Sequence, residues 1–406
     1  MSNFATLGLA EPLLRALDKA RFVQPTPIQA IAIPHLLAGR YLLGIAQTGT
    51  GKTAAFAMPM LQHLASNPMP PHRYATRALI LAPTRELALQ IEESLHKLGG
   101  QKRRLVAILG GVSRFMQVQR MRGGTDIVVG TPGRLCDLMA TGELKLDQVS
   151  QFVLDEADRM LDLGFIRDIR RIVAALPVAR QSALFSATMP EEVGKLAETL
   201  LREPVRVDVT RTAAVALPIE QHVHFVDPAG KRELLDRLLA EPALSRVIVF
   251  TRTKRTANRV AESLDAGGVR VSALHGNKSQ PARRRHWNGF AVAARALVAT
   301  DIAARGIDVT GISHVINFDL PAQPEDYVHS IGRTARAGAS GVAISFCGAT
   351  EHGTMRAIER ITGTAIHAAE RASAAVQRVR GQSPAAANRL PHRRRMRDPA
   401  KPGTAA

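Results

Sequence analysis

The 406-residue sequence is poor in cysteine and in aromatic residues, and it has no long apolar run. Its two cysteines, Cys136 and Cys347, are too few and too far apart to suggest a disulfide framework or a zinc site. A reducing, cytoplasmic setting is therefore expected. The best apolar stretch, residues 31–46, is interrupted by Pro34 and Arg40, so a membrane span is not expected. The first residues also lack the basic-then-apolar order of a signal peptide.

Acidic residues are scarce relative to basic ones. Fifty-four Lys and Arg against 35 Asp and Glu give a formal net charge of +19. A field of this sign concentrates polyanions, so nucleic acid is the expected partner. A basic surface that only maintains solubility is the alternative.

The C-terminal tail is the most basic part of the chain. Residues 371–406 hold nine Arg or Lys, one acid and no aromatic residue, a net charge of +8. We expect residues 367–406 to be disordered, because they cannot bury enough apolar surface to offset chain entropy. Their charge favours a role as an electrostatic tether for nucleic acid, and a passive solvated tail is the alternative.

Apolar runs typical of buried strands alternate with helical stretches along the chain, a pattern that predicts parallel α/β sheets. A first set of strands is expected at residues 41–46, 78–82, 106–109, 126–129, 152–154 and 183–185. A second set is expected at residues 222–226, 246–250, 270–273, 296–299, 314–317 and 342–346. The aperiodic stretch 204–218 between the sets predicts a hinge. The chain therefore divides into a first lobe at 1–206, a linker at 207–217, a second lobe at 218–366 and a tail at 367–406.

A glycine-rich segment follows the first predicted strand and precedes a helix. It matches the phosphate-binding P-loop except at Ala46, where the general template has glycine. Backbone N–H groups of such a loop face phosphate oxygens, Lys52 can reach the β and γ phosphates, and Thr53 can ligate Mg²⁺. The predicted ATP-binding residues of this segment are Gln47, Thr48, Gly49, Thr50, Gly51, Lys52 and Thr53.

Two adjacent carboxylates, Asp155 and Glu156, end the strand expected at residues 152–154. Ligands of α/β sheets bind at this edge. Asp155 can hold Mg²⁺, directly or through water, and Glu156 can orient and deprotonate an attacking water. With the P-loop about 100 residues upstream, the pair favours ATP hydrolysis over an acidic helix cap.

Together these segments resemble the DEAD-box RNA helicases over about residues 4–365. Asp155-Glu156-Ala157-Asp158 is the motif that names the family, and residues 22–29 resemble its Q motif. The resemblance implies two tandem RecA-like lobes, with adenine stacked on Phe22 and read by Gln29. It also implies that Ser186, Thr188 and His329 couple the ATP state to RNA binding.

The resemblance extends to segments that bind RNA in the family. In the first lobe the implied RNA-binding residues are Pro83, Thr84, Arg85, Gly110, Gly111, Thr131, Pro132, Gly133 and Arg134. In the second lobe they are Thr251, Arg252, Gln280, Arg283, Thr300 and Asp301. Small hydroxyl residues, glycines and arginines suit contacts to sugar and phosphate, which predicts little sequence preference.

The second lobe also resembles the family in the residues that complete the ATP site. Arg333 and Arg336 are implied to be arginine fingers, and Asp308 is implied to contact the ATP ribose. Ser330 stands where the family usually has arginine, and Ala335 where it often has glycine. The basic tail and the residues around Glu351-His352 are similar to the bacterial RhlE-like branch.

The resemblance implies an ATP- and Mg²⁺-dependent RNA helicase that binds single-stranded RNA across both lobes and unwinds short duplexes locally. An ATP-gated RNA clamp or annealing factor, with little unwinding, would use the same residues. A DNA-directed or other P-loop ATPase is a further alternative. Protein partners stay open, with ribosome-assembly and RNA-decay machinery as the two candidates.

Overall fold

A computed structural model describes residues 3–47, 49–99, 103–209, 219–275, 277, 282, 285–286, 289–290, 294–301, 311–335 and 340–368. The predicted site residues Thr48, Gln280, Arg283, Asp308 and Arg336 lie outside these ranges, as do residues 369–406 of the predicted tail. The described part forms two α/β lobes, each built on a seven-stranded sheet.

The sheet of the first lobe is parallel throughout and has the strand order β3-β4-β2-β5-β6-β1-β7. Its strands are Leu42–Ile45 (β1), Thr76–Leu81 (β2), Leu105–Ile108 (β3), Thr125–Gly130 (β4), Gln151–Leu154 (β5), Gln181–Ser186 (β6) and Val205–Asp208 (β7). The helices are Glu11–Lys19 (α1), Pro27–Leu37 (α2), Lys52–Ser66 (α3), Arg85–Lys97 (α4), Arg114–Met121 (α5), Pro132–Ala140 (α6), Ala157–Asp162 (α7), Ile166–Ala174 (α8) and Glu191–Leu200 (α9).

The second lobe repeats this design with the order β10-β11-β9-β12-β13-β8-β14, and its ladders are also parallel. Its strands are Ile219–Phe225 (β8), Val247–Thr251 (β9), Val271–Leu274 (β10), Ala296–Thr300 (β11), His314–Asn317 (β12), Gly341–Cys347 (β13) and His367–Ala368 (β14). The α-helices of this lobe that lie within the described residues are Lys231–Ala240 (α10), Lys254–Ala266 (α11), Pro324–Ile331 (α12) and His352–Thr362 (α13).

Burial explains why these strands are rich in apolar residues. The central strands β1, β2 and β5 are buried along their whole length, because helices cover both faces of the sheet. Two separate apolar clusters flank the first sheet, one packed under α2 and α3 and the other under α6, α8 and α9. The predicted fold of two RecA-like parallel lobes is confirmed.

Both lobes extend past the predicted boundaries. Strand β7 pairs with β1 and runs to Asp208, two residues beyond the predicted end of the first lobe at 206. It forms because Val207 is buried in the core while Arg206 points outward, a short alternation inside the stretch that we interpreted as hinge. Strand β14 likewise pairs with β8 two residues past 366. Residues 210–218, the rest of the predicted linker, lie outside the described ranges.

Candidate functional site

The P-loop segment lies at the carboxyl edge of the first sheet, between β1 and α3. Gly49 and Gly51 adopt left-handed backbone conformations, with φ of +86° and +91°. A Cβ on Gly51 would lie 2.3 Å from Gln29 Nε2, so only glycine fits this position. The Thr50 hydroxyl donates to the Gln47 carbonyl at 2.7 Å and closes the turn. The loop therefore has the tight backbone that brings N–H groups to a phosphate.

Lys52 begins α3 and is 5% exposed. Its Nζ is buried and has no hydrogen-bond partner within the described structure. A buried ammonium group without a partner is costly unless an anion pairs with it. This orphaned cation, at a helix N-terminus, fits the phosphate of a nucleotide.

The Q-motif glutamine joins the start of α2 to the P-loop. Gln29 is 1% exposed; its Oε1 accepts from the Thr26 N–H at 3.0 Å, and its Nε2 donates to the Gly51 carbonyl at 3.0 Å. Phe22 is 37% exposed and packs edge-to-face against Phe4. Phe22 is thus partly exposed, and Gln29 joins the Q motif to the phosphate loop by hydrogen bonds. Their roles toward adenine stay predictions.

The carboxylates of the family motif lie where β5 ends. Glu156 has a left-handed backbone with φ of +55°, which costs about 1–2 kcal/mol for a non-glycine residue. Such strain persists where the surrounding structure holds it, as at active sites. Burial raises the pKa of Asp155 to about 7, against the opposing effect of the Lys52 charge. A buried carboxylate that is costly to ionise alone fits a divalent cation, which would stabilise its charge.

No group of three or more His, Cys, Asp or Glu side chains that could hold a metal ion occurs among the described residues. Mg²⁺ bound with a nucleotide needs only one or two carboxylates, since phosphate oxygens and water complete its shell. Asp155 and Thr53, which follow β5 and the P-loop, suit that mode of binding.

Asp158 connects the family motif to the Ser186-Ala187-Thr188 segment after β6. One carboxylate oxygen accepts from the Thr188 N–H and the Thr188 hydroxyl, both at 2.9 Å, and from the Ala187 N–H at 3.2 Å. Burial opposes ionisation of Asp158, but the Lys52 charge and the bonds from Thr188 lower its pKa overall. The Asp158 N–H donates to Ser186 Oγ at 3.2 Å. Two motifs separated in sequence are therefore one hydrogen-bonded unit.

The two lobes meet beside this unit. Arg159 of α7 is 3% exposed and forms an ion pair with Asp326 of α12 in the second lobe. The cleft between the lobes is lined by Arg159, Phe250, Asp301, Asp326, His329, Ser330 and Arg333. The structure thus brings the predicted coupling residue His329 and the predicted finger Arg333 to the face of the first lobe.

Side chains from α12 are held in place at this cleft. Arg333 is 5% exposed, and its Nε donates to the His329 carbonyl at 3.2 Å. The Ser330 hydroxyl donates to the Tyr327 carbonyl at 2.8 Å, so the residue that replaces the usual arginine is buried and bonds back to its own helix. Ala335, where the family often has glycine, has a φ of +54°. That left-handed conformation explains why glycine suits the position.

In the first lobe, the structure brings together three of the predicted RNA-binding segments. The Arg85 guanidinium lies against the Gly110-Gly111 backbone, and a Cβ on Gly111 would be 2.3 Å from Arg85 Nη1. Arg134 Nη1 donates to the Val112 carbonyl at 3.1 Å. Thr84 caps α4 by accepting from the Leu87 N–H at 3.2 Å. Thr131, Pro132 and Gly133 form the start of α6. Arg85, Arg134 and the Gly110-Gly111 pair make one basic, glycine-rich surface at the carboxyl edge of the sheet, and Thr84, Thr131 and Pro132 are buried beside it.

In the second lobe, Arg252 is fixed by an ionic cluster. Its backbone N–H donates to Asp319 Oδ2 at 3.0 Å, and its guanidinium donates to Glu351 Oε1 at 2.6 Å. The buried Lys231 ammonium shares both acids, at 3.2 Å from Glu351 and 3.5 Å from Asp319. Thr251, Thr300 and Asp301 lie at the ends of β9 and β11, beside the same edge.

Sequence reasoning missed four residues that organise this site: Arg159, Asp326, Gln117 and Glu351. Arg159 directly follows the family motif, and Asp326 precedes His329 by three positions. Their closeness to these predicted site residues could have marked both as candidates. Gln117 is 4% exposed; its Oε1 accepts from the Leu109 N–H at 2.7 Å and its Nε2 donates to the Leu109 carbonyl at 3.1 Å. A single buried amide on a helix of mixed polar and apolar residues gives no such signal in the sequence.

Comparisons with known proteins agree with this geometry. The sequence profile described as DEAD/DEAH box helicase matches residues 26–196, and the helicase conserved C-terminal domain matches residues 230–338. The chain is 43% identical over 364 residues to the DEAD-box ATP-dependent RNA helicase CshA of Geobacillus kaustophilus. The matched region covers 89% of this chain and 77% of the CshA protein.

Solved structures match both lobes. S. cerevisiae Dbp5 bound to RNA and ADP BeF3 superposes with a TM-score of 0.83 at 32% identity, covering 94% of this chain and 99% of that one. Mss116p bound to ssRNA and AMP-PNP superposes with a TM-score of 0.80 at 28% identity. The match covers 90% of this chain and 78% of the Mss116p chain. The chain belongs to the DEAD-box helicase family. Within that family it is an ATP-dependent RNA helicase, an RNA-dependent ATPase whose partner is RNA.

The CshA relatives do not confirm the RhlE-like branch suggested by the tail and by Glu351-His352. In the structure, Glu351 forms ion pairs with Arg252 and Lys231, so its role is to pack the second lobe together.

Within the described part of the chain, no helix has the length and apolar character needed to cross a membrane.

Proposed function

We propose that RNA lying across both lobes completes the ATPase site, and that the resulting cycle of closure and release separates short RNA duplexes locally. The observation that carries this proposal is the division of the chemistry. Lys52, Asp155 and Glu156 belong to the first lobe, whereas Arg333 belongs to the second and lies in the cleft beside Arg159. Neither lobe alone holds all the charges that phosphoryl transfer requires.

Nucleotide binding is assigned to the first lobe. Lys52, whose buried Nζ has no hydrogen-bond partner among the described residues, pairs with the β and γ phosphates, and the loop from Gln47 to Gly51 wraps them. Asp155 and the Thr53 hydroxyl hold Mg²⁺, partly through water. When bound, the ion neutralises charge that develops on the phosphate oxygens. Phe22 stacks on the adenine and Gln29 reads its edge, with Thr48 and Asp308 completing the nucleotide contacts.

Hydrolysis is assigned to residues from both lobes. Glu156 orients the attacking water and accepts its proton, while Arg333 and Arg336 stabilise charge on the γ-phosphate. A missing arginine finger lowers the rate of such reactions by roughly 10³–10⁵-fold. An open protein should therefore hydrolyse ATP slowly, and RNA that favours closure should accelerate turnover. By linkage, RNA should tighten ATP binding, and ATP should tighten RNA binding by the same factor.

Coupling between the sites is assigned to the unit formed by Asp158, Ser186 and Thr188, together with His329. The bonds from Thr188 tie the segment after β6 to the motif that holds the metal ligand. His329 lies across the cleft, where burial lowers its pKa to about 3 and the Arg159 charge acts in the same direction. His329 is thus neutral near pH 7 and acts by hydrogen bonding rather than by charge.

RNA binding is assigned to the carboxyl edges of both sheets. Arg85, Arg134 and the Gly110-Gly111 backbone suit phosphate and sugar oxygens, as do Thr251 and Arg252 across the cleft. Thr300 and Asp301 extend this surface, and RNA binding is also assigned to Gln280 and Arg283. Contacts to 2′-hydroxyls would select RNA over DNA. Mainly backbone contacts give little sequence preference.

The test is ATP turnover of the full chain without nucleic acid, with single-stranded RNA and with DNA of the same sequence. RNA should stimulate turnover, and Lys52→Ala and Glu156→Gln should abolish it, with Glu156→Gln retained on RNA in the ATP-bound form. A short RNA duplex should be separated only with ATP. Equal stimulation by DNA, or none by either, would overturn the proposal. RNA-dependent ATP binding without strand separation would instead identify an RNA clamp.

We further place the protein in the cytoplasm, a reducing compartment that suits two buried, unpaired cysteines. Ribosome-assembly or RNA-decay machinery would supply RNA substrates of the kind this surface fits.

A further inference from the structure

Three exposed apolar side chains adjoin the Gly110-Gly111 segment. Phe115 is 68% exposed, Met116 is 53% exposed and Val112 is 38% exposed. They lie within five residues of one another, on the loop that enters α5 and on its first turn. Apolar side chains clustered on a surface mark a contact site more often than single exposed ones do.

These side chains are continuous with the surface assigned to RNA phosphates. Val112 directly follows Gly111, and its carbonyl accepts from Arg134 Nη1 at 3.1 Å. Arg85 lies against the same glycine pair. Residues 110–123 contain three arginines and no acid, which favours a polyanion over a protein surface of mixed charge.

The apolar residues stand on an ordered support. The buried Gln117 amide bonds both the N–H and the carbonyl of Leu109 and also donates to the Ser113 carbonyl at 3.3 Å. Arg114 Nε donates to Glu143 at 3.0 Å and fixes the outer side of the helix. A support that is ordered before binding loses little conformational entropy when a ligand arrives.

We propose that Phe115, flanked by Val112 and Met116, is a stacking platform for one nucleobase of the bound RNA strand. The inference rests on the proposed function, in which the phosphates of that strand follow Gly110-Gly111 and Arg134. Every base has an apolar π-face, so an exposed phenyl ring adds affinity without reading sequence. The platform also holds a base out of a duplex stack, because a base cannot pair in a helix while it lies on the phenyl ring.

The experiment measures the Kd of a labelled single-stranded RNA by fluorescence anisotropy, with a non-hydrolysable ATP analogue and over a series of salt concentrations. Phe115→Ala should raise Kd about 5- to 100-fold, the effect of losing one base–aromatic stack. The slope of log Kd against log salt should stay unchanged, since no phosphate contact is lost. Arg134→Ala should instead reduce that slope by about one.

Two matched comparisons isolate stacking. Phe115→Tyr keeps an aromatic ring and should bind RNA like wild type. Phe115→Leu keeps only apolar area and should lose most of the RNA affinity that the ring contributes. An RNA backbone without bases should bind wild type and Phe115→Ala equally. Met69, 66% exposed but before β2 and so at the opposite edge of the sheet, gives a control variant, Met69→Ala, that should bind normally.

Unchanged RNA binding by Phe115→Ala would overturn the inference and point to a protein contact at this patch. An equal loss on normal RNA and on the base-free backbone would overturn it too. Failure of the proposed function is a separate result, because it would show as wild-type ATP turnover that RNA does not stimulate.

Discussion

His314 is a buried ionisable residue with no function in the proposed reaction. It lies on β12 with no exposed surface, and neither ring nitrogen has a hydrogen-bond partner in the described structure. Burial, together with the nearby His222, lowers its pKa to about 4 from 6.5. The folded protein therefore keeps this imidazole neutral where an unfolded chain would protonate it.

The sign of the pH effect follows from these two values. Between pH 6.5 and about 4 the unfolded state binds more protons at this residue, so stability falls as the pH falls. In His314→Leu, the free energy of unfolding should fall on acidification by roughly 2–3 kcal/mol less than in wild type. The substitution also removes two buried ring nitrogens that have no hydrogen-bond partner in the described structure. Urea unfolding at pH 7.5 and at pH 5 measures the difference. A His314→Leu slope equal to that of wild type would contradict the account.

At the scale of elements, the sequence predicted the strands that are buried along their whole length. Strands β2 and β9 are apolar runs that end at polar motif residues, so pattern and burial agree. Strands β7 and β14 were not predicted, because an edge strand of four residues or two shows little periodicity. The phosphate site was predictable because its residues are adjacent in the chain.

Contacts made between elements were beyond the reach of sequence patterns. Arg159 and Asp326 are 167 positions apart, and Arg252 and Glu351 are 99 apart. Each side chain alone is an ordinary surface charge by its sequence context. Only the packing of α7 against α12, or of β9 near α13, decides that the charges pair.

Glu351 connects three elements of the second lobe, since it accepts from Lys231 of α10, from Arg252 after β9 and from the Gly348 N–H. Burial opposes its ionisation, but the Gly348 N–H and the Lys231 charge lower its pKa overall. Glu351→Gln keeps the shape and removes the charge. We expect a loss of about 2–3 kcal/mol in the free energy of unfolding, because buried Lys231 loses a charged partner.

The same variant should weaken RNA binding, since the Arg252 guanidinium loses the Glu351 charge and keeps the Leu320 carbonyl, at 3.1 Å, as its other acceptor. Urea unfolding and RNA anisotropy measure the two effects. In the double variant Lys231→Met/Glu351→Gln, part of the stability should return, because the buried Lys231 charge, which the single variant leaves with Asp319 as its acidic partner, is also removed. RNA affinity should stay low in that variant. Additive losses of stability would show that the cluster is not one interacting unit.

At the scale of the whole molecule, the ion pair between Arg159 and Asp326 joins the lobes in the arrangement that resembles the RNA-bound Dbp5 structure. Both side chains are largely buried, at 4% and 14% exposed. A charged hydrogen bond in such a place contributes about 1.5–3 kcal/mol. Because the pair forms only when the lobes meet, that energy favours closure rather than the fold of either lobe.

Asp326→Asn should therefore act on the closure equilibrium. The RNA concentration that gives half-maximal ATP turnover should rise about 10- to 100-fold, whereas turnover at saturating RNA should change much less. Thermal unfolding should stay close to that of wild type, since each lobe keeps its own core. Arg159→Asp combined with Asp326→Arg should recover part of the RNA dependence that each single charge reversal loses. If saturating RNA failed to restore turnover to Asp326→Asn, the pair would act on the chemical step, and if half-maximal RNA were unchanged, the lobes would close without it.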